Sequence, residues 1–415
     1  MLSWDDTPAL LPMRCCRAWV EIDLAALADN VRSLKALLPH HTDLMSVVKA
    51  DAYGHGAVSV AKVALTAGAS WLGVATVPEG VELRQAGIGA PILVMGAVND
   101  PAEMRAIADW QLQPTIVNPK QALVFSQTLA DYFSAAGRDR TLPVHLKLDT
   151  GMSRLGFSWE RPVELARFVK QLAHLKVVSL YSHLATADSP DPTVMNLQHQ
   201  RFEQAIAALE RENLLPPRLH LANAAATLSA PALHYDMVRV GLATYGLYPA
   251  PHLTNAVRLQ PVLAVKARIT HVKTIQPGDG VSYDHKFIAP EPMKIAVVGI
   301  GYADGVPRLL SNQMNVVTNG QKVRQIGAIT MDQMMIDVTA VEAVQEGDVV
   351  TLLGQSEGQV LTVEQWALAA GTISWEILCG FKHRLPRIET ALPAGLSSAP
   401  EAWAHPSVAQ PIETV

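Results

Sequence analysis

From residue 24 onward the chain alternates between two kinds of apolar pattern. Segments such as LAALADNVRSLKALL (24–38) and DPTVMNLQHQRFEQAIAALE (191–210) place apolar residues three and four apart, the spacing of one helix face. Between such segments lie short apolar runs: LMSVVKA at 44, WLGVA at 71, PILVMG at 91, PTIV at 114, VHLKLD at 144, KVVSLYSHL at 176, RLHLAN at 218 and YDMVRVG at 235. Most are rich in Val, Ile and Leu, as expected of parallel strands covered on both faces. Eight such runs alternating with helices over about 230 residues predict an α/β fold, an eight-stranded (β/α) TIM-type barrel. A doubly wound open sheet is the second architecture the pattern allows.

A barrel places its chemistry at the carboxyl ends of its strands. Polar residues stand there in this sequence. Lys49 ends the first run, and Asp149 ends the fifth with Arg154 in the loop beyond. His183 ends the sixth, Asn223 the seventh and Arg239 the eighth. Lys49 is the most informative. A lysine at the end of an apolar run either snorkels to water or is desolvated for use, because burial of an unpaired ammonium costs several kcal/mol. A desolvated lysine with a lowered pKa suits Schiff-base chemistry.

After about residue 250 the pattern changes to successive strands with turns between them, including MKIAVVGIG, MNVVTNGQKVRQIG and GDVVTLLG, with Asn319-Gly320 as a hairpin signal. The expected organisation is an N-terminal extension (1–16), a barrel domain (17–250), a mostly β domain (251–390) and a disordered Ala/Pro/Ser-rich tail (391–415). Met13 is an alternative start.

Composition adds exclusions. Lys plus Arg number 33 against 38 Asp plus Glu, a net charge of -5, which disfavours nucleic acid or an anionic membrane as partner. The cysteines, Cys15, Cys16 and Cys379, form neither a disulfide framework nor a metal-binding spacing, so no metal is expected. The N-terminus lacks a signal-peptide pattern and no apolar stretch has spanning length, so a soluble cytoplasmic protein is expected.

The segment VVKADAYGHG (47–56) closely resembles the cofactor-lysine motif VVKANAYGHG of bacterial alanine racemases. LKLDTGMSRLG (146–156), HLATAD (183–188), VRVGLATYGL (238–247), PGDGVSY (277–283), GIGYADG (299–305) and MDQMMID (331–337) resemble further blocks of that family, in order. The resemblance spans roughly residues 17–390. It implies a homodimer with composite active sites, in which pyridoxal 5'-phosphate serves the interconversion of L- and D-alanine, the D-isomer supplying peptidoglycan. Lys49 would hold the cofactor covalently, and Tyr53 would help bind its phosphate. Arg154 would reach the cofactor's phenolic oxygen and the substrate carboxylate. Arg239 would face the pyridine nitrogen, with His183 supporting it. Asn223 and the backbone near Gly241 and Leu242 would complete the phosphate site. Lys147 is carbamylated in many members, which would turn a cation beside two arginines into an anion. From the partner subunit, Tyr283 would be the second catalytic base, taking the proton from L-alanine while Lys49 takes it from D-alanine. Tyr302 and Met331 would complete the substrate site, with Asp332 in support.

Three departures accompany the resemblance. Asn223-Ala224 stands where the family has Asn-Ser, and TISWEIL puts Trp375 where a tyrosine is usual. Both losses fall on the phosphate, at about 1 kcal/mol per missing neutral hydrogen bond. DHKF replaces the commoner GATY after Tyr283. The same residues fit a serine or broader-specificity racemase, and less well a fold-related decarboxylase. A non-catalytic pyridoxal-phosphate-binding protein would be expected as a lone barrel without Tyr283 and Met331.

Overall fold

The structure, a computed structural model, describes residues 16–135, 137, 140–381 and 383–390. The extension before residue 16, including Met13 and Cys15, and the tail after 390 lie outside the described residues. The chain divides into two compact units. One comprises Leu24–Ala52 and Gly56–Gln260, and the other comprises the strand preceding Leu24, Tyr53–His55 and the chain from Pro261.

The first unit is the expected barrel. Its strands are Asp43–Val47, Trp71–Val74, Ile92–Ala97, Gln113–Ile116, Leu142–Asp149, Leu175–Tyr181, Leu219–His220 and Met237–Val240. Neighbours in that order pair in parallel, and Met237–Val240 pairs in parallel with Asp43–Val47. Between the last two strands, Asp236 N–H donates to Leu219 O and Arg239 N–H to Ala222 O, which brings the ring close to closure. The open-sheet alternative is thereby excluded. Trp71–Val74 and Met237–Val240 are buried at every position, as strands inside a ring of helices must be. Met45, Trp71, Leu93, Tyr181 and Met237 pack together inside.

The second unit is mostly β. Leu263–Ile275, Met293–Val298, Met334–Asp337, Gln321–Ile326, Asn315–Thr318 and Val349–Ser356 follow one another around the sheet. The last of these also pairs with Leu263–Ile275, closing a second ring. Ile275, Val281, Met293, Ile295 and Ile326 form a core within it.

Residues 17–23, assigned to the barrel from sequence, belong elsewhere. Ala18–Asp23 pairs antiparallel with Leu263–Ile275 and parallel with Arg387–Thr390. Its ladder hydrogen bonds decide its sheet, and an isolated apolar strand carries no mark of its partner. The helix Leu24–Ala36 is thus the first element of the barrel unit, which runs to Gln260.

Candidate active site

Lys49 stands just beyond the strand Asp43–Val47, whose end is fixed by Tyr245, the hydroxyl of which donates to Val47 O at 2.8 Å. The chain then turns in an unusual way. Ala50, Asp51, Ala52 and Tyr53 all have φ between 52° and 55°, a left-handed turn ending at Gly54 with φ 81°. Left-handed backbone costs an L-residue about 1–2 kcal/mol, so this turn must be held by its surroundings. Ala50 N–H donates to Glu79 Oε1 at 2.7 Å, and Ala57 N–H to Asp51 Oδ1 at 2.8 Å.

Arg239 is 3% exposed, and both terminal nitrogens of its guanidinium are hydrogen-bonded. Nη2 donates to Ser182 O at 2.8 Å, Leu221 O at 3.1 Å and His183 Nδ1 at 3.2 Å; Nη1 donates to His220 Nδ1 at 3.2 Å. Burial pulls its pKa down to about 10, which leaves it a cation at neutral pH. An arginine only donates, so His183 and His220 each accept at Nδ1 and carry their proton on Nε2. Burial, then the charge of Arg239, holds both imidazoles well below the usual histidine range, so both are neutral.

The chain of hydrogen bonds continues inward. His220 Nε2 donates to Ser179 Oγ at 3.0 Å, Ser179 to His145 Nδ1 at 2.5 Å, and His145 Nε2 to Gln113 Oε1 at 2.9 Å. Tyr181 stacks on His220 at 4.6 Å and hydrogen-bonds Thr115 at 2.7 Å. None of these residues was singled out from sequence. The available signal was a histidine at an inward position of each of two barrel runs, VHLKLD and RLHLAN.

Lys147 lies 5% exposed on the fifth strand, its ammonium 5.3 Å from the Tyr181 ring centre. Its pKa is pushed down to about 8, first by burial and then by Arg239, Arg154 and Lys49, with Asp149 opposing. Asp149 is also a loop anchor: Oδ1 accepts from Gly151, Met152 and Ser153 N–H at 2.9, 2.9 and 3.1 Å, setting the course of the loop to Arg154. Lys49, Lys147, Arg154 and Arg239 all act electrostatically on His183. Lys49, Lys147, Asp149, Arg154, His183 and Arg239 are therefore within electrostatic reach of one another.

Asn223 also has a structural task. Its Oδ1 accepts from Ala226 N–H at 3.1 Å and caps the short helix Ala224–Ser229. Ala224 is the buried first residue of that helix. Gly241 precedes a single 3-10 turn, Leu242–Tyr245.

The β unit carries the remaining candidates. Tyr53 is buried there, and burial followed by the charge of Cys379 pushes its phenol up. Trp375 is half-buried in the helix Ser374–Gly380. Tyr302 and Met331 are brought together by their backbones: Tyr302 N–H donates to Thr330 O and Ala303 N–H to Met331 O, both at 3.0 Å. Gly301 permits that approach, since a Cβ there would lie 2.3 Å from Thr330 O. The buried carboxylate of Asp304 ties the turn to Arg17 at 2.6 Å, and Arg384 joins it to Asp332 at 2.7 Å. Tyr283 and Thr330 line one cavity of about 540 Å³. Tyr283, Tyr302 and Met331 are 69%, 43% and 53% exposed.

Residues 22–249 match the alanine racemase N-terminal domain, and residues 262–389 the alanine racemase C-terminal domain. The chain belongs to the alanine racemase family. An alanine racemase of a Nostoc species is 63% identical over 372 residues, 90% of this chain and 95% of that protein. One from a Synechocystis species is 59% identical, covering 90% and 98%. Among solved structures, the alanine racemase of Streptomyces lavendulae superposes with a TM-score of 0.84 at 37% identity, over 91% of this chain and 97% of that one. The alanine racemase of Bacillus anthracis with bound L-Ala-P gives 0.84 at 34% identity, over 92% and 96%. Membership extends over both units, so the β unit is an integral part of a family chain.

Proposed function

We propose that the protein interconverts L- and D-alanine with pyridoxal 5'-phosphate held on Lys49, as a cytoplasmic homodimer whose two active sites each use Tyr283 of the partner subunit. The observation that carries this reading is the cluster of Lys49, Lys147, Arg154 and Arg239, opposed by the carboxylate of Asp149. A donor set of that charge fits an anionic aromatic phosphate and an amino-acid carboxylate. When bound, the cofactor supplies delocalisation that makes the substrate Cα–H acidic.

The chain's own residues do the rest. Lys49 Nζ holds the cofactor and serves as base on one face of Cα. Tyr283 from the partner moves the proton on the other face, the simplest geometry for inversion. The Arg239 guanidinium keeps its protons; beside a pyridine nitrogen it would leave that nitrogen unprotonated, which would suppress carbanion side reactions. His183 and His220, as neutral acceptors, hold that guanidinium in place. Arg154 would bind the substrate carboxylate, with Tyr302 of the partner subunit and Met331 of the partner subunit bounding the site. Tyr53 and the backbone amides of Gly241 and Leu242 would serve the phosphate.

Lys147 fits carbamylation. With its pKa lowered to about 8, roughly a tenth is neutral amine at pH 7, the form that attacks carbon dioxide. The Nζ–C bond forms, one proton leaves, and the resulting anion would pair with Arg154.

The test is to incubate the purified, cofactor-loaded protein with L-alanine in D2O. Loss of optical activity together with deuterium at Cα supports the proposal. Retention of L-alanine with no exchange overturns it. L-Serine run in parallel separates a narrow racemase from a broad one.

A further inference from the structure

Glu79 is the third residue of the helix Val77–Gln85. Its Oε2 accepts from Ala75 N–H at 2.7 Å and from Thr76 N–H at 3.0 Å. That much is an ordinary helix-start device, in which a glutamate reaches back to the chain before its helix. The other oxygen does something that helix does not need. Oε1 accepts from Ala50 N–H at 2.7 Å, twenty-nine positions earlier in the chain.

Ala50 is the residue after Lys49 and the first of four consecutive non-glycine residues with φ near +53°. A single carboxylate thus joins the second strand's exit to the start of the strained turn. Asp51 anchors the turn further along, its backbone carbonyl accepting from Gly56 N–H at 3.0 Å and its side chain from Ala57 N–H at 2.8 Å. The direction in which Lys49 leaves the strand depends on the backbone either side of it. On one side that backbone is fixed by the barrel ladder. On the other it is fixed by Glu79.

We propose that Glu79 is a positioning residue for Lys49: its carboxylate, bridging Ala50 to Ala75 and Thr76, locks the left-handed turn and so aims the lysine amine. The proposal rests on the reading of Lys49 as the cofactor lysine. It has a chemical corollary. Both oxygens face N–H donors, so glutamine at this position must turn its NH2 toward one of them. Glutamine is therefore no substitute here despite its matching shape, and aspartate is too short to bridge both segments.

The experiment uses the full-length protein stripped of cofactor, in wild-type and Glu79→Gln forms. Two ligands are compared: pyridoxal 5'-phosphate, which a lysine captures covalently with loss of water, and pyridoxine 5'-phosphate, which has no aldehyde. Losing a hydrogen bond to a charged group is worth about tenfold or more. The expected result is covalent capture slowed at least about tenfold, with the affinity for pyridoxine 5'-phosphate within about twofold of wild type. Ala50→Gly, which relieves the left-handed strain, is expected to restore most of the lost rate in the Glu79→Gln background. Capture at the wild-type rate, equal weakening of both ligands, or no rescue by Ala50→Gly overturns the proposal. If Glu79→Gln does not fold, Glu79→Asp is read by the same outcomes. Should wild-type protein capture no cofactor on Lys49, the functional reading falls. Hydrogen exchange then decides the clamp alone: faster exchange of Ala50 N–H in the variant supports it, and unchanged exchange overturns it.

Discussion

Asp304→Asn tests how the exposed half of the site is held. The Asp304 side chain is 0% exposed and takes Arg17 Nη2 at 2.6 Å and Nη1 at 2.9 Å, Gly301 N–H at 3.0 Å, and Arg384 Nε at 3.5 Å. Asparagine keeps one accepting oxygen but must place its NH2 against a donor, and it leaves two guanidiniums without their shared counter-charge. Severing a buried ion pair by removing one partner costs about 3–5 kcal/mol. Here the two arginines retain 38% and 45% of their side-chain exposure, so water recovers part of that loss. The expected destabilisation is about 2–3 kcal/mol, or roughly 6–10 °C in Tm for a domain of this size. Because Gly301 loses its acceptor, the turn carrying Tyr302 against Met331 should loosen as well. Thermal unfolding and alanine kinetics on the same preparation check both points. The expected outcome is a lowered Tm with KM raised more than kcat is lowered. A Tm within about 2 °C of wild type and an unchanged KM would refute the reasoning.

Other outcomes follow from the same structure. In buffer free of carbon dioxide, Lys147 is a buried amine with its pKa lowered from 10.5 to about 8. The unfolded chain then binds more protons between those values, so stability rises with pH through that window. Lys147→Met should therefore be more stable than wild type at pH 7, by up to about 3 kcal/mol, with the difference vanishing above pH 10.5. Urea unfolding at several pH values checks it, and a pH-independent difference counts against it. Ser179→Ala removes the hydroxyl that both accepts from His220 and donates to His145, leaving two buried groups unsatisfied at about 1–3 kcal/mol each; unchanged urea stability would contradict the hydrogen-bond chain. Gly301→Ala puts a methyl 2.3 Å from Thr330 O and 2.4 Å from Met331 O, so KM for alanine should rise several-fold, and an unaltered KM would show that the turn yields at no cost.

Much of the barrel end was legible because a strand's exit is a local property. Lys49, Asp149, His183 and Arg239 each follow or close an apolar run; the charges of Lys49 and Arg239 reach His183, and those of Asp149, Lys49 and Arg239 reach Lys147. What was not legible depends on partners distant in sequence. Nothing in AWVEID says that it will pair with residues 263–267 instead of joining the barrel. The left-handed turn after Lys49 was hidden because Ala50, Asp51 and Ala52 are not residues that signal positive φ; their conformation is imposed partly through Glu79. His145 and His220 read as core filler until the direction of Arg239's hydrogen bonds is known. Asn223, at a strand exit, has in addition a task that its neighbours in sequence did not signal: its side chain caps the next helix.

The central claim is that Lys49 and Tyr283 act on opposite faces of one substrate and come from different subunits. Mixing Lys49→Ala with Tyr283→Phe protein, each inactive alone, tests it most directly. With subunit exchange complete, half of the dimers are hybrids, each with one intact site, so about a quarter of wild-type racemisation should return. No recovery, with exchange demonstrated by differently tagged subunits, would contradict the account and place both residues in a site built by a single chain.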